Sequence, residues 1–493
     1  MEFFWNFPFI SIILSLLCAV ITFLLKGGTA KRLTLGLNLS CIIMSLLTVI
    51  RNLTLGEFTY TMGHYTAPWG NEIRAGLIEP LFAMIFSVIL MLSIMAIREE
   101  KYIEDSKLNL FFVMSDLIQA AILALAYTND IFTAYVFIEI CTIASCGLLM
   151  IRDTGKTIIA ATRYMIFSLL GSGFFLIGVI LLYDITGHLL MPNIKDAVTV
   201  LWETGNYRLP LYITVGLMVT GLGIKSGMFP FFFWMPDTYG YASPDASSIL
   251  SGVVSKIYIL LLIKVIYSVI GAEVFFAMGI QYLLLVFGIC GMMTGSILAI
   301  REKQLDRMIA YSSAAQIGYI YMGIGMGELG IAPAMLHITA HAVAKPLLFV
   351  SASRLSAVSG ESKRFADLAG SGYRCPVSGA CFTIGALSMV GIPGLVGFSS
   401  KLYFAEAALE APMSILAPVL LALAVSTLLN AAYYLRAVIC LYSKGSRKIH
   451  PDETDKERPM FLISIIAFSA VIFILGIFPG YLMDIIGSGL EIL

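Results

Sequence analysis

Residues 209–236 have the sequence LPLYITVGLMVTGLGIKSGMFPFFFWMP, a long apolar run with one lysine inside it and a break after that lysine. A bilayer core of about 30 Å needs about 20 apolar residues in a helix, so this run is long enough to cross a membrane. Pro230 removes a helix donor, and the glycines around Lys225 permit non-helical turns. Such a break at membrane depth is tolerated only inside protein or beside a water-filled cavity. The stretch therefore predicts a broken membrane helix with a buried charge.

The rest of the chain has the same apolar character. Its 493 residues are 59% hydrophobic and 13% charged, with a mean hydropathy of +0.91, which excludes an ordinary soluble domain. The N-terminus carries Glu2 and no basic residue before its apolar run, so we expect a first membrane span there rather than a cleaved signal peptide. The fold class is therefore all-α and polytopic. About fourteen spans are predicted, at residues 7–25, 33–50, 75–97, 109–127, 130–151, 161–185, 209–236, 244–269, 274–300, 306–326, 331–357, 378–404, 413–441 and 460–490.

Lysine and arginine residues are unevenly distributed between these spans. One alternate set of loops holds about twenty-one of them, and the opposite set holds four, Arg51, Arg74, Lys195 and Arg208. Cytoplasmic loops retain positive charge, so the count predicts a cell-membrane protein with both termini on the outer side. The formal net charge of zero gives no reason to expect a nucleic-acid partner. The eight cysteines match no iron–sulfur or zinc spacing, so we expect neither cofactor nor metal and interpret them as packing residues.

Several ionisable residues fall inside the predicted spans. A charge at the bilayer centre costs about 2.5–3.5 kcal/mol on insertion scales, so function is the default interpretation of such residues. Glu139, Lys225, Lys256 and Lys345 all lie near mid-depth, which favours a path parallel to the membrane plane. Lys401 ends a second glycine- and proline-rich break, GIPGLVGFSSK (391–401), and a lysine beside both breaks points to a transport site.

His337, His341 and Lys345 recur every four residues and are predicted to share one helical face. Histidine titrates near neutral pH and can both accept and donate a hydrogen bond, so the three residues form a candidate proton wire. Two histidines four apart could also bind a metal, but the glutamate of a zinc hydrolase motif is missing and no further ligand is evident.

Other charged residues of the spans have simpler explanations. Lys264 and Arg436 can extend to the membrane interface. Asp116, Asp130 and Asp237 are predicted near helix ends, where solvated or capping roles are at least as reasonable as transport.

Six ordered motifs resemble the antiporter-like subunit family shared by Mrp cation/proton antiporters, respiratory complex I and energy-converting membrane-bound hydrogenases. The resemblance covers most of the chain. The chain most resembles the shorter D-like Mrp or hydrogenase-associated subunits. Lys401 stands where one complex I subunit type has glutamate, and the chain ends directly after the last span, without a long lateral extension. The motifs are YVFIEI (135–140), KSGMFPFFFWMPD (225–237), SGVVSKI (251–257), DRMIAYSS (306–313), HAVAKPLLF (341–349) and GIPGLVGF (391–398).

The resemblance implies fourteen helices with two inverted five-helix repeats, each with a broken helix. It implies an ion pair of Glu139 with Lys225, a central relay at Lys256, a connection through His337, His341 and Lys345, and a basic residue, Lys401, at the second break. Phe232 and Leu250 stand where many members carry histidine, which puts side routes through those positions in doubt. The implied organisation is helices 1–3 in 1–107, a first repeat in 108–270, a second repeat in 271–442 and a last helix in 443–493.

The expected function is translocation of protons, or of sodium ions and protons, by one membrane subunit of a multisubunit complex. The expected partners are the lipid bilayer and other membrane subunits of an antiporter or redox complex. The sequence holds no Walker loop, dinucleotide fingerprint or cofactor ligand set, so we expect no catalytic centre in this chain. Two alternatives remain: a scaffold subunit that does not conduct ions, and a transporter that works alone.

Overall fold

The computed structural model describes residues 6–62, 65, 70–97, 107–444 and 458–493, and these residues are mainly helical. Two short strands, β1 (Phe58–Thr61) and β2 (Glu72–Ala75), pair antiparallel with Phe58 opposite Ala75. The α-helices are α1 (Phe7–Leu24), α2 (Gly27–Leu55), α3 (Ile78–Met95), α4 (Leu108–Tyr127), α5 (Ile131–Met150), α6 (Gly155–Thr186), α7 (Met191–Thr204), α8 (Arg208–Ser226), α9 (Met235–Tyr241), α10 (Pro244–Ile249), α11 (Ser255–Lys264), α12 (Ala272–Ala277), α13 (Ile280–Arg301), α14 (Leu305–Gly325), α15 (Glu328–Ala357), α16 (Ser371–Arg374), α17 (Pro376–Val390), α18 (Val396–Glu410), α19 (Met413–Leu441), α20 (Pro459–Ile477) and α21 (Pro479–Ile492).

The chain is a multi-pass integral membrane protein. Within the described ranges, twelve helical segments are long and apolar enough to cross a membrane. The predicted spans at 306–326 and 378–404 correspond to α14 and to the pair α17 and α18, which are not among the twelve. The all-α class is confirmed, whereas the count of fourteen spans and the two inverted repeats stay predictions.

Burial divides the helices into a centre and a periphery. The most apolar stretches of the continuous helical segment Pro244–Ile270 and of α15 are fully buried within the chain, whereas α1, α2 and α6 bury 39% of theirs. The peripheral helices expose large apolar side chains such as Leu24 and Ile180, as expected for a surface that faces lipid. Lys256 of α11 and His337, His341 and Lys345 of α15 are therefore enclosed by other helices of the same chain.

Glycines bring α13 and α14 into close contact. A Cβ atom on Gly288 would lie 2.3 Å from the backbone nitrogen of Met322, and one on Gly318 would lie 2.5 Å from that of Met292. Small residues of this kind let membrane helices approach closely, because apolar packing rather than water exclusion holds them together. The close approach fixes the side chains of α14 that face the centre.

Both predicted helix breaks are confirmed. The first follows α8, where Gly227 adopts φ +82° and a 3₁₀ turn at Phe231–Trp234 precedes α9. The second separates α17 from α18, where Gly391 adopts φ +97°. These left-handed conformations are available to glycine at little cost. Two π-helical segments, Leu250–Val254 and Val265–Ile270, flank α11 and were not predicted.

Candidate functional site: a buried row of lysine and histidine side chains

Lys225 lies in the last turn of α8, beside the first break, and is 1% exposed. Its Nζ donates a hydrogen bond of 2.7 Å to Thr142 Oγ1 on α5 and lies 5.4 Å from the centre of the Tyr258 ring on α11. The backbone of α8 approaches α6 closely at this level, since a Cβ on Gly171 would lie 3.0 Å from Lys225 Cγ. The lysine is thus held between α5, α6 and α11.

Glu139 does not occupy the position expected for a buried partner of Lys225. It lies one helical turn before Thr142 on α5 and is partly exposed, because α5 is a peripheral helix. Among the described residues, the hydrogen-bond partner of Lys225 is Thr142, although the charge of Glu139 still acts on the lysine. Glu139 and Lys225 thus form no direct salt bridge among the described residues, and their role as a functional ion pair stays a prediction.

Lys256 lies at the start of α11 and is completely buried. Its Nζ donates to the carbonyl oxygen of Ser251 and, at 3.2 Å, to Ser255 Oγ. Ser251 belongs to the π-helical segment that precedes α11, and π-helical turns inside α-helices often occur at functional sites. The π-helical backbone thus supplies the carbonyl oxygen of Ser251 as an acceptor for Lys256. Among the described residues, Lys256 forms no salt bridge with a carboxylate.

The π-helical segment packs directly against α15. A Cβ on Gly252 would lie 2.6 Å from Pro346 Cγ and 3.5 Å from the carbonyl oxygen of Ala342. Pro346 has no N–H to donate to that carbonyl, so the helix is locally open on the side that faces the π-helical segment. This contact joins the neighbourhood of Lys256 to that of His341 and Lys345.

His341 is completely buried, and neither of its ring nitrogens has a hydrogen-bond partner in the described part of the chain. Lys256, Lys345 and His337 lie close enough to act on it electrostatically. An imidazole with two open nitrogens between two lysines can bind or release a proton on either side.

Lys345 is also completely buried, and its Nζ has three acceptors. They are the carbonyl oxygen of Ile309 at 3.0 Å, Ser312 Oγ at 2.5 Å and the Tyr434 hydroxyl at 3.2 Å. Ile309 and Ser312 belong to α14, and Tyr434 belongs to α19. Hydroxyl and carbonyl groups therefore solvate this ammonium group in place of water.

His337 has a partner on each ring nitrogen. Nδ1 lies 2.8 Å from Ser400 Oγ, and Nε2 lies 3.0 Å from Gln316 Oε1. Because Gln316 and Ser312 belong to α14, His337 and Lys345 both face that helix, which confirms the predicted common face on α15 for these two residues; for His341 it stays a prediction. Ser400 belongs to α18, one residue before Lys401, so His337 links α15 to the second break.

Lys401 binds the end of the helix before that break. Its Nζ donates to the carbonyl oxygens of Met389 at 3.1 Å and Val390 at 2.8 Å, the last residues of α17. The carbonyl end of a helix carries partial negative charge and attracts cations. Its Nζ also lies 5.0 Å from the centre of the Tyr319 ring, which stacks on His337 at 5.3 Å.

These contacts bring together residues from both broken helices and the two central helices. We call this set the buried row; it consists of Lys225, Lys256, His341, Lys345, His337 and Lys401. Among the residues that the structure describes, no two members of the buried row hydrogen-bond to each other directly. Each lysine instead donates to a hydroxyl group or a carbonyl oxygen nearby. Lysines of the same row also repel one another, because they carry like charge when protonated.

Sequence reasoning missed the uncharged members of this site. Thr142, Gln316, Tyr319 and Tyr434 contact the buried row, but hydroxyl and amide side chains are common in membrane helices and had no distinctive spacing. A tyrosine or threonine becomes a candidate only when its three-dimensional neighbour is known.

The other ionisable residues of the spans lie outside the buried row. Asp130 caps α5 by accepting from the backbone nitrogen of Thr133, and Asp237 pairs with Arg163 and Arg307, as roles near helix ends predict. Arg436 donates to carbonyl oxygens at the end of α13.

Two predictions for residues of this group are wrong. Lys264 does not reach the interface: it is 4% exposed and donates to the carbonyl oxygens of Ala126 and Thr128, with Glu79 at 4.0 Å. Asp116 is completely buried in the interior of α4, because α1 and α2 cover it.

Comparisons with known proteins identify relatives of this chain. The family described as "NADH:quinone oxidoreductase/Mrp antiporter, TM" matches residues 128–449. NADH-quinone oxidoreductase subunit N of Desulforudis audaxviator is 30% identical over 402 residues, which cover 80% of this chain and 77% of that protein.

Solved structures share the fold. A chain of the membrane-bound sulfane sulfur reductase, an archaeal respiratory membrane complex, superposes with a TM-score of 0.88 at 24% identity, covering 98% of this chain and 97% of that one. A chain of the Mrp complex from Dietzia superposes with a TM-score of 0.85 at 20% identity, covering 100% and 97%. At these identities the likeness establishes the fold alone.

Proposed function

The chain belongs to the family of NADH:quinone oxidoreductase and Mrp antiporter membrane subunits, and from this premise we propose that it translocates protons, or sodium ions in exchange for protons, as one subunit of a multisubunit membrane complex. The observation that carries the proposal is the buried row. Four lysines and two histidines at most 9% exposed lie in helices where each charge is costly, and among the described residues no carboxylate forms a salt bridge with any of them.

The proposed pathway begins at Lys225 and Glu139. Opposite charge favours ionisation of both groups, whereas desolvation of the lysine opposes it. A movement of Lys225 away from Thr142 and toward Tyr258 would bring its charge nearer to Lys256, and repulsion would then favour loss of one proton. In this proposal the protonation state of Lys225 changes when the lysine moves. The negative charge of the partly exposed Glu139 favours its return to the protonated state.

The proposed pathway continues through α15. In this proposal His341 transfers a proton between Lys256 and Lys345, since neither of its ring nitrogens has a hydrogen-bond partner among the described residues. His337 and the Tyr319 ring then connect this centre to Lys401 at the second break. The site residues we propose are thus Glu139 and the buried row, and the energy comes from another subunit because these residues form no catalytic centre.

The proposed organisation follows the two breaks. Residues 108–270 would form one repeat around the Lys225 break and residues 271–442 a second around the Lys401 break, between helices in 1–107 and 443–493. We further propose that both termini face the outer side of the cell membrane, since the basic loops then face the cytoplasm.

The test is ion transport by the purified complex in liposomes, with a pH-sensitive dye inside. We expect Lys225→Ala to abolish ion movement while the complex assembles normally, because the lysine whose protonation state changes is removed. Lys195→Ala is the matched control, since Lys195 lies on the peripheral helix α7 and is outside the buried row. Unchanged transport in an assembled Lys225→Ala complex would refute the proposal.

A scaffold that does not conduct is the second candidate, and one observation favours it. Lys345 and Lys401 each have several polar acceptors, as in a structural contact. A scaffold predicts that Lys256→Ala reduces the yield of assembled complex before it reduces transport, whereas the conducting subunit predicts the reverse order.

The partners are tested separately by mass spectrometry of the complex purified through this chain in mild detergent. Co-purifying iron–sulfur or hydrogenase-like subunits would assign it to a redox machine. Small membrane subunits without redox partners would assign it to an Mrp-type antiporter, and isolation of the chain alone would support the transporter that works by itself.

A further inference from the structure

A cavity of about 1030 Å³ lies outside the buried row, where α13 and α19 end. Its walls are residues 301–304 at the end of α13, residues 364–369 in the loop after α15, and residues 436–443 at the end of α19. Both helices are long and apolar enough to cross the membrane, so their ends mark its edge. The cavity therefore lies at the membrane interface, on the side that holds most of the basic loops.

Four basic side chains line this cavity, namely Arg301, Lys303, Arg364 and Arg436. Among the residues that the structure describes, no carboxylate forms a salt bridge with any of them. Glu302 also lines the cavity, but its Oε2 lies 3.0 Å from Nε of Arg307 and is already paired. The cavity therefore concentrates positive charge that the described part of the chain does not neutralise.

Hydrogen bonds hold the walls of the cavity together. The backbone nitrogen of Phe365 donates to the carbonyl oxygen of Lys303 at 3.2 Å, and Cys440 Sγ donates to the carbonyl oxygen of Phe365 at 3.0 Å. The guanidinium group of Arg436 donates to the carbonyl oxygen of Glu302 at 2.9 Å and lies 4.7 Å from the centre of the Phe365 ring. The basic groups are thus arranged around a preformed space, which lowers the cost of binding a ligand there.

Exposed apolar side chains continue from the cavity toward the membrane centre. Ile297 lies one turn before Arg301 on α13 and is 42% exposed, and Leu428 lies two turns before Arg436 on α19 and is 72% exposed. Residues four or eight apart lie on one helical face, and α13 packs against α19. A molecule in this cavity would therefore meet basic groups at one end and a lipid-facing apolar surface at the other.

This combination fits a phospholipid with a negatively charged headgroup. Arginine binds phosphate through paired hydrogen bonds, and basic pockets between membrane helices bind anionic headgroups. A headgroup that also carries an amine would add positive charge to a cavity that is already basic, and free phosphate would leave the apolar surface uncovered. We propose that this cavity binds the phosphate of an anionic phospholipid such as phosphatidylglycerol. Arg301, Arg364 and Arg436 surround the phosphate, and the acyl chains lie along Ile297 and Leu428.

The experiment is photo-crosslinking of the purified complex that contains the full chain, in phosphatidylcholine vesicles. Phosphatidylglycerol and phosphatidylcholine with the same diazirine-bearing acyl chain are added as trace probes in separate samples, and mass spectrometry measures labelling of α13 and α19. We expect the phosphatidylglycerol probe to label these helices at least about tenfold more, because several basic residues attract its negative charge. Unlabelled phosphatidylglycerol should displace this probe, whereas inorganic phosphate should not.

Arg301→Gln combined with Arg364→Gln should remove the preference for phosphatidylglycerol, since glutamine remains polar and carries no charge. Arg436 is left unchanged because it also binds backbone carbonyl oxygens at the end of α13. Arg32→Gln is the matched control, because Arg32 is an exposed arginine near the start of α2 and does not line this cavity. It should leave the preference unchanged.

Four results would overturn the proposal. Equal labelling by the two probes would mean that α13 and α19 contact bulk lipid without selection, and this wild-type comparison decides the matter even if the double variant fails to assemble. A preference that persists in the double variant would place the lipid elsewhere. Displacement by inorganic phosphate would indicate a site for free phosphate, and absence of labelling would indicate that another subunit covers the cavity. None of these results depends on whether the buried row conducts ions.

Discussion

Lys401 holds its ammonium nitrogen 5.0 Å from the centre of the Tyr319 ring. The same ring stacks on His337 at an interplanar angle of 29°. The ring thus lies between the second helix break and the central helix α15. An aromatic face attracts a cation by about 0.5–2 kcal/mol, depending on how far the pair is desolvated.

This arrangement makes the Tyr319 ring more important than its hydroxyl. We expect Tyr319→Phe to retain most transport activity, because the ring remains and the hydroxyl, which accepts a hydrogen bond from Asn430, is lost. Tyr319→Leu should lower the transport rate about tenfold, since the loss of the cation–π contact destabilises the charged form of Lys401 at this position. Transport assays in liposomes compare the two variants, and equal loss in both would show that the hydroxyl is the essential part.

Thr142 should be essential because it is the hydrogen-bond partner of Lys225. Thr142→Val keeps the shape of the side chain and removes the acceptor, which costs about 1–3 kcal/mol for a buried charged group. We expect at least a tenfold loss of transport at normal assembly. Thr142→Ser is the control, since it restores the hydroxyl and should restore activity; a fully active Thr142→Val variant would contradict the role of this contact.

Gly171 should be intolerant of any side chain. A Cβ at this position would lie 2.8 Å from the carbonyl oxygen of Gly221 and 3.0 Å from Lys225 Cγ, so α6 and α8 must separate. We expect Gly171→Ala to destabilise the chain by about 1–3 kcal/mol, as overpacking does, and to impair transport. The measurement is thermal unfolding together with the liposome assay.

Gly173 on the same helix provides the control for this substitution. Nothing lies within 4 Å of a Cβ built there, so Gly173→Ala should leave both stability and transport nearly unchanged or slightly improve stability. Equal effects of the two substitutions would argue against the close approach of α6 and α8.

The acceptors of Lys345 should compensate for one another. Ser312→Ala leaves the carbonyl oxygen of Ile309 and the Tyr434 hydroxyl in place, so we expect a loss of transport of only a few-fold. Tyr434→Phe should behave similarly. The double variant should lose more than the product of the two single effects, because the ammonium group then keeps one acceptor. Strictly multiplicative effects in the liposome assay would refute this coupling.

The sequence indicated the charged residues of the candidate site because charge is rare inside a membrane. Lys225 and Lys401 stood out beside glycine- and proline-rich breaks, and both breaks are present. The spacing of His337 and Lys345 predicted a common face, which their shared contact with α14 confirms. The prediction for Asp116 was wrong, since position along a helix does not reveal which other helices cover it.

The sequence by itself determined an all-α membrane protein, its helix breaks and the ionisable residues between them, because lipid forces apolar spans and makes every exception conspicuous. The tertiary structure alone decided which groups touch. It paired Lys225 with Thr142, opened the backbone at the π-helical segment before Lys256, and buried Asp116 of α4 against Thr22 of α1. These contacts join residues far apart in the chain, and their geometry depends on helix packing, which periodicity along one chain does not encode.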